Sequence, residues 1–286
     1  MALYLEHFYL PNEDQEWRFF ISQKSRAFTT YYPFQLFPAK EFSHLSFEPI
    51  TIFYGGNGSG KSTLLNIIAE KLQLQRGALY NRSSFFEDYL KLCDFSMRYP
   101  LPRQSAIITS DEIFDYMLNL RALNEGIDRK RVGMFDDYLA TKFSDFHYRD
   151  LSDYDQLKKV LETRRKTQSR YVRENLMKNV PEESNGESAL RFFQERLLDD
   201  QLYLLDEPEN SLSPANQLLL VNTLAEAARF FGCQFIIATH SPFVLSLKGA
   251  KIYDLDEVPV TTKKWTELAA VQVYANFFQE HQAEFN

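Results

Sequence analysis

The chain has 286 residues, enough for one large domain or a core with a sizeable insertion. Its 44% apolar and 25% charged shares are those of a globular protein, and two cysteines exclude a disulfide framework. The net charge of -7 excludes a global attraction to nucleic acid or anionic membranes, though not a local basic patch.

The N-terminus, Met1 to His7, has no basic region leading into a long apolar core, so no signal peptide is expected. No apolar run approaches the roughly 18 residues of a membrane span. A reducing, cytoplasmic compartment without membrane insertion is the expectation.

Residues 1–49 are rich in Phe and Tyr and punctuated by Pro33, Pro38 and Pro49. They read as an antiparallel β-layer, with Trp17–Ser22 and Ala27–Tyr32 as strands. Ile50–Tyr54 is a β-branched apolar run ending at a glycine cluster, which predicts a buried strand entering a turn. Leu64, Leu65, Ile68 and Leu72 then recur at helical spacing. Residues 78–105 carry no clear pattern. Ala106–Thr109 reads as a strand and Glu112–Leu123 as a helix. From 125 to 180 the chain is charged and helical, with eight Lys or Arg against two Glu between Lys158 and Lys178. Beyond Ser184 strands and helices alternate: strand 201–205, helix 214–230, strand 234–238, strand 251–255, and a helical tail from about Glu267. Such alternation predicts a parallel α/β sheet.

The turn Gly55-Gly56-Asn57-Gly58-Ser59-Gly60-Lys61-Ser62-Thr63 fits G-x-x-x-x-G-K-[ST], and four of the ten glycines fall in it. Glycines permit the positive φ that turns backbone N–H groups inward around phosphate oxygens. The helix starting at Lys61 adds its positive end, Lys61 a point charge, and the Ser62 hydroxyl a ligand for Mg²⁺. Downstream, the apolar run Leu202–Leu205 delivers two acids, Asp206 and Glu207. Beside a P-loop, Asp206 suits the Mg²⁺ shell and Glu207 suits a base that polarises water.

With these motifs placed, the chain resembles the ABC-class P-loop ATPases. The likeness is to soluble members related to the RecF and chromosome-maintenance ATPases, including small bacterial AAA/ABC-like ATPases. It is strong over 50–72 and 182–256 and nearly absent over 78–180. Ser184-Asn185-Gly186-Glu187 looks like the family's signature, which closes over the γ-phosphate held by a second subunit. Ser184 and Glu187 also make a capping box for the following helix. Glu209 to Ser213 is similar to the loop lining the dimer interface, and His240 to the switch histidine that senses the γ-phosphate. Glu183 and Ser213 stand where transporter subunits carry leucine and aspartate, which points away from them.

The resemblance implies a P-loop α/β fold of ABC-ATPase type, with an N-terminal antiparallel β-layer and a helical insertion. It implies one ATPase domain over 1–286: β-layer 1–49, P-loop core 50–77, mainly helical insertion 78–183, and signature, acid pair and switch histidine in 184–286. It implies binding and hydrolysis of ATP with Mg²⁺, an ATP-dependent homodimer that drives a conformational switch, and room for a protein partner. Alternatives are an ATP-gated DNA-binding, genome-maintenance or phage-defence module, in which the basic residues 158–178 meet nucleic acid, and the ATPase subunit of a membrane transporter. Tyr31, Tyr32 and Phe34 are candidates to hold adenine, against core packing for each. Gln104 and the Thr109–Glu112 turn are candidates for the family's Q-loop.

Overall fold

A computed structural model describes residues 2–23, 30–142 and 185–285, with residues 155, 158, 161, 172 and 176. The chain divides into two compact units, Met1–Phe114 with Asn185–Asn286, and Asp115–Ser184.

The first unit starts with strand β1 (Leu5–Tyr9) and helix α1 (Glu13–Ser22). Trp17–Ser22 is therefore helical rather than a strand. Asn12 Oδ1 accepts the Gln15 N–H and Gln15 Oε1 accepts the Asn12 N–H, a capping box that starts the helix. Trp17 and Ile21 face solvent, so the aromatic and β-branched content that suggests a strand has no sheet to pack on. The second expected strand, 27–32, lies outside the described residues up to Thr29, and Tyr31 and Tyr32 are not in a strand.

Strands β2 (His44–Ser46) and β3 (Ile50–Tyr54) follow, then helix α2 (Lys61–Lys71), the short β4 (Gln75–Arg76), α3 (Phe86–Leu92), β5 (Asp94–Met97) and β6 (Ala106–Thr109). The patternless stretch 78–105 thus supplies α3 and β5. Helix α4 (Ser110–Lys142) is 33 residues long and leaves the first unit. The chain re-enters with α5 (Asn185–Arg196), β7 (Leu202–Asp206), α6 (Pro214–Phe230), β8 (Gln234–Ala238), the single turn α7 (Pro242–Leu245), β9 (Lys251–Asp254), β10 (Thr261–Lys263) and α8 (Ala269–Glu280).

Two sheets result. β2-β1-β5 is antiparallel. The larger sheet runs β10-β9-β3-β8-β7-β6-β4, parallel except for β10. Its central strands β3 and β8 are buried at every residue, as parallel strands covered on both faces must be. Gln234, fully buried at the start of β8, joins the sheets: its Oε1 accepts the N–H groups of Tyr4 and Leu5 at 2.7 and 2.9 Å, and its Nε2 donates to Leu5 O at 2.9 Å. A buried amide so satisfied fixes their relative placement.

Parallel pairing puts all strand ends on one side. Phe53 is level with Ala238, Ala238 with Asp206, and Asp206 with Thr109. The turns leaving β3, β7, β8 and β6 therefore meet at one edge, where ligands of open α/β sheets bind. In the second unit, Met117, Ile127, Tyr138 and Val172 are buried. The basic stretch 158–178 lies outside the described residues but for isolated positions.

Candidate nucleotide site

Where β3 ends, the chain must turn sharply into α2. Gly60, the residue before the helix, has φ 99°, a conformation that L side chains avoid. At Gly55 the constraint is space: a Cβ would sit 2.5 Å from Ser59 Oγ. The turn wraps a cavity of about 380 Å³ lined by Tyr32, Leu36, residues 57–63 and Glu207.

Lys61 is 5% exposed, and its Nζ donates to the carbonyls of Gly55 at 2.6 Å and Gly56 at 3.1 Å. The ammonium is thus held inside the turn by groups that an anion can replace. Ser62 Oγ donates to Asp206 Oδ1 at 3.0 Å, which brings the acid of β7 to the mouth of the turn. Burial, the largest cause, pushes the Asp206 carboxyl up to about 6; the nearby charges of Glu207 and Glu209 add to this, while Ser62 and Lys61 oppose it. A half-buried carboxylate answered mainly by a hydroxyl suits a divalent cation. Two hard oxygen donors at this spacing fit Mg²⁺, which takes few protein ligands and completes its shell with phosphate and water. No cluster of three or more metal-ligating acids, histidines or cysteines occurs among the described residues.

Glu207 turns the chain at φ 49°, and its N–H donates to Ala238 O. Asn210 Nδ2 donates to its Oε2 at 3.0 Å, which leaves Oε1 facing His240 Nδ1 at 3.6 Å. Behind them lies Glu209, 4% exposed, whose Oε1 accepts from the Thr239 hydroxyl at 2.5 Å and from the His240 and Ser241 N–H groups, each at 3.3 Å. Burial raises the Glu209 carboxyl, and the Thr239 hydroxyl and the His240 N–H oppose the rise. One buried acid therefore pins the turns leaving β7 and β8 to each other.

The structure brings together Gly55–Thr63, Asp206, Glu207 and His240. It does not bring the signature residues to them: Asn185–Glu187 open α5 and do not line the cavity. A Cβ on Gly186 would lie 2.4 Å from Asn216 Nδ2 and 3.7 Å from Ser211 O, so this glycine allows α5 to approach the loop after the acids. Ser184 lies outside the described residues.

Of the aromatic candidates, only Tyr32 reaches the cavity, its hydroxyl donating to Thr63 Oγ1 at 2.8 Å. Phe34 is buried and stacks on Phe19 at 4.4 Å, and Tyr31 packs against Phe20 and Phe85. Gln104 precedes β6, opposite the site, whereas Thr109 at the far end is level with Asp206.

Two residues escaped the sequence reading. Asp256 accepts the Gly56 N–H through both carboxylate oxygens, at 2.8 and 3.1 Å, and so anchors the first bend of the turn. Its only trace is its place just after an apolar strand, and nothing local reveals that β9 lies beside β3. Glu209 was visible as part of a loop, but its burial was not.

Residues 44–210, more than half of the chain, match the family model described as ABC transporter. The chain belongs to this family, the ABC-class P-loop ATPases. Its fold is accordingly the α/β P-loop fold of ABC-ATPase type, with the antiparallel layer and helical insertion described above. Residues 179–246 match a second model, described as an AAA domain, Type IV TA system. The ABC-class chain is similar to the Smc head domain of Pyrococcus furiosus bound to a domain of ScpA, at 11% identity over 82% of this chain and 94% of that one, TM-score 0.39. It is similar to the SMC head domain of Thermotoga maritima at 13% identity, 92% and 99% coverage, TM-score 0.37. It is also similar to an ATP-binding cassette in a dimeric post-hydrolysis state bound to ADP and Pi, at 15% identity, 78% and 88% coverage, TM-score 0.36. No curated protein matches the chain. No helix among the described residues is long and apolar enough to cross a membrane.

Proposed function

We propose that this ABC-class chain binds ATP in the Gly55–Thr63 turn and hydrolyses it to ADP and phosphate, working as a homodimer. The observation that carries the reading is the Ser62–Asp206 hydrogen bond at the mouth of the turn, with Glu207 lining the same cavity. Backbone N–H groups of residues 58–63 and the start of α2 take the phosphates. Lys61 exchanges the Gly55 and Gly56 carbonyls for phosphate oxygens. Ser62 and Asp206 would hold Mg²⁺, which supplies neutralisation of the phosphate charge. Glu207, held by Asn210, takes a proton from the attacking water, and His240 steadies the γ-phosphate. Ser184 to Glu187 of a second copy closes the site, so 1–286 acts as one ATPase unit whose halves open after hydrolysis. Switching of a protein partner by that motion follows from this arrangement, in a cytoplasmic setting.

Phosphate release from ATP, compared between the wild type and Lys61→Ala, tests the activity. Light scattering with and without ATP tests the dimer. Hydrolysis that persists in Lys61→Ala would reject the assigned turn, and a monomer at saturating ATP would reject the shared site.

The match of residues 179–246 to the AAA model favours a second reading, an ATP-gated defence or genome-maintenance module. Salt-dependent DNA binding that maps to 158–178 supports it. The family match leaves room for a transporter subunit, which Glu183 and Ser213 disfavour; co-purification with a membrane protein would revive it.

A further inference from the structure

Helix α1 carries one buried acid. Glu16 is 3% exposed, whereas Glu13, Asp14 and Trp17 of the same helix face solvent. Its Oε2 accepts the Gln35 N–H at 2.7 Å, and its Oε1 is buried without a hydrogen-bond partner. Gln35 stands at φ 68°, and a non-glycine residue keeps such a conformation only where its surroundings hold it there. Gln35 lies between the two walls of the nucleotide cavity contributed by this segment. On one side is Tyr32, bonded to Thr63; on the other is Leu36, whose Cδ2 would be 3.2 Å from a Cβ on Gly60. Phe34 between them stacks on Phe19 of α1. The single hydrogen bond from Gln35 to Glu16 thus ties α1 to the bend on which both walls depend.

We propose that Glu16 is a positioning residue for nucleotide: by accepting the Gln35 N–H from a dry pocket it sets the Tyr32–Leu36 wall and makes nucleotide affinity depend on whether its own carboxyl is neutral. This rests on the nucleotide reading above.

Among the described residues, the groups that act on Glu16 supply no opposite charge. Glu13, exposed on α1, acts on it through its charge, and Tyr89 and Cys93 are its titratable neighbours from the α3 side. Burial pushes the Cys93 thiol up to about 12 and the Tyr89 phenol well up, so both are neutral near pH 7. The Tyr89 hydroxyl is buried without a partner. Lys71 faces Cys93, and its Nζ donates to Leu90 O at 2.9 Å. Burial is also the main cause that lifts the Glu16 carboxyl to about 7; the Gln35 N–H opposes the lift and Glu13 adds to it. The neutral acid leaves at most one O–H without an acceptor, whereas the carboxylate leaves a full charge desolvated with a single donor. Because the folded value lies above the ordinary 4.5, the contribution of neutral Glu16 is full below about 4.5 and is lost as pH rises through about 7. The wall is therefore tight in mild acid and loose in mild base.

The test is equilibrium binding of a ribose-labelled fluorescent ATP analogue to the full chain at about pH 6 and about pH 8. Wild type, Glu16→Gln and Lys61→Ala are compared. Glutamine keeps the shape and the acceptor for Gln35 but cannot ionise. Wild-type affinity is expected to fall at least about fivefold between the two conditions beyond any fall in Glu16→Gln, which reports the ionisation of the analogue and of other site groups such as Asp206. Parallel losses in wild type and Glu16→Gln would overturn the proposal and leave the nucleotide reading intact. Binding indifferent to Lys61 would instead overturn the nucleotide reading. A second measurement, on the unaltered protein, is amide hydrogen exchange over 30–37. Protection lost at the higher pH, beyond the intrinsic rise in exchange rate, supports the proposal, and unchanged protection opposes it.

Discussion

The Ser62 hydroxyl donates a 3.0 Å hydrogen bond to Asp206 Oδ1 across 144 positions of sequence. The bond exists because β8 lies between β3 and β7, so the turns leaving β3 and β7 emerge at the same edge of the sheet. It also leaves a half-buried carboxylate answered mainly by a hydroxyl. Since the folded carboxyl is raised from 3.8 to about 6, its favourable contribution is full below about 3.8 and lost as pH rises through about 6. At neutral pH without metal, Asp206 is a cost. Asp206→Asn is expected to stabilise the metal-free protein by roughly 1–2 kcal/mol at about pH 7.5, while abolishing stabilisation by Mg²⁺ and ATP. Thermal unfolding with and without Mg²⁺ and ATP measures both. A variant still stabilised by them would contradict the assignment.

Among the described residues, Glu207 is the only acid lining the turn's cavity, and Asn210 fixes one of its oxygens. Glu207→Gln keeps the size and the Asn210 contact but cannot take a proton. Turnover should drop by about 10²-fold or more, with ATP affinity within about twofold of wild type. The ATP-bound variant should accumulate as a dimer in gel filtration. Rapid hydrolysis by this variant would move the role of base to another group.

Glu209 stands one step behind. Glu209→Ala removes the acceptor shared by the Thr239 hydroxyl and the His240 and Ser241 N–H groups. The Ser241 N–H keeps Thr239 Oγ1 at 3.0 Å, so two donors are orphaned; at about 1–3 kcal/mol each, a total loss of roughly 2–5 kcal/mol is expected in urea unfolding. Glu209→Gln keeps one acceptor oxygen and should lose less than about 2 kcal/mol. The alanine variant should also slow turnover, because His240 loses its backbone anchor. A stability loss without slower turnover would separate His240 from the chemistry.

What could be read from the sequence was what is local. Ile50–Gly60, Leu202–Glu207 and Gln234–His240 each join a strand to a turn, and burial of the strand writes itself as an apolar run. Relations between strands were not legible: Asp256 anchors Gly56 from 200 positions away because β9 pairs with β3. Helix α1 was missed because Trp17, Phe19, Phe20 and Ile21 are strand-like residues. The decisive signal was the Asn12–Gln15 capping box, which outweighs their propensity. Gln234 reads as a polar residue opening a strand, and only the second sheet shows that it joins two layers.

The choice among Tyr31, Tyr32 and Phe34 is a matter of packing, and it leads to a separable prediction. Tyr31 and Phe34 are held in the aromatic cluster with Phe19, Phe20 and Phe85, while Tyr32 lines the cavity with its hydroxyl on Thr63. The Ser83 hydroxyl donates to the Tyr32 carbonyl, which fixes its backbone as well. If the ring stacks on adenine, Tyr32→Ala should weaken ATP binding by about 5- to 150-fold, since stacking of a base on an aromatic ring contributes about 1–3 kcal/mol. Tyr32→Phe keeps the ring and should stay within about threefold. Inorganic tripolyphosphate has no base, so its affinity should be the same in Tyr32→Ala and wild type. Calorimetric titration of both ligands decides the matter: equal losses for ATP and tripolyphosphate would mean that Tyr32 acts through Thr63 on the phosphate turn and not on the base.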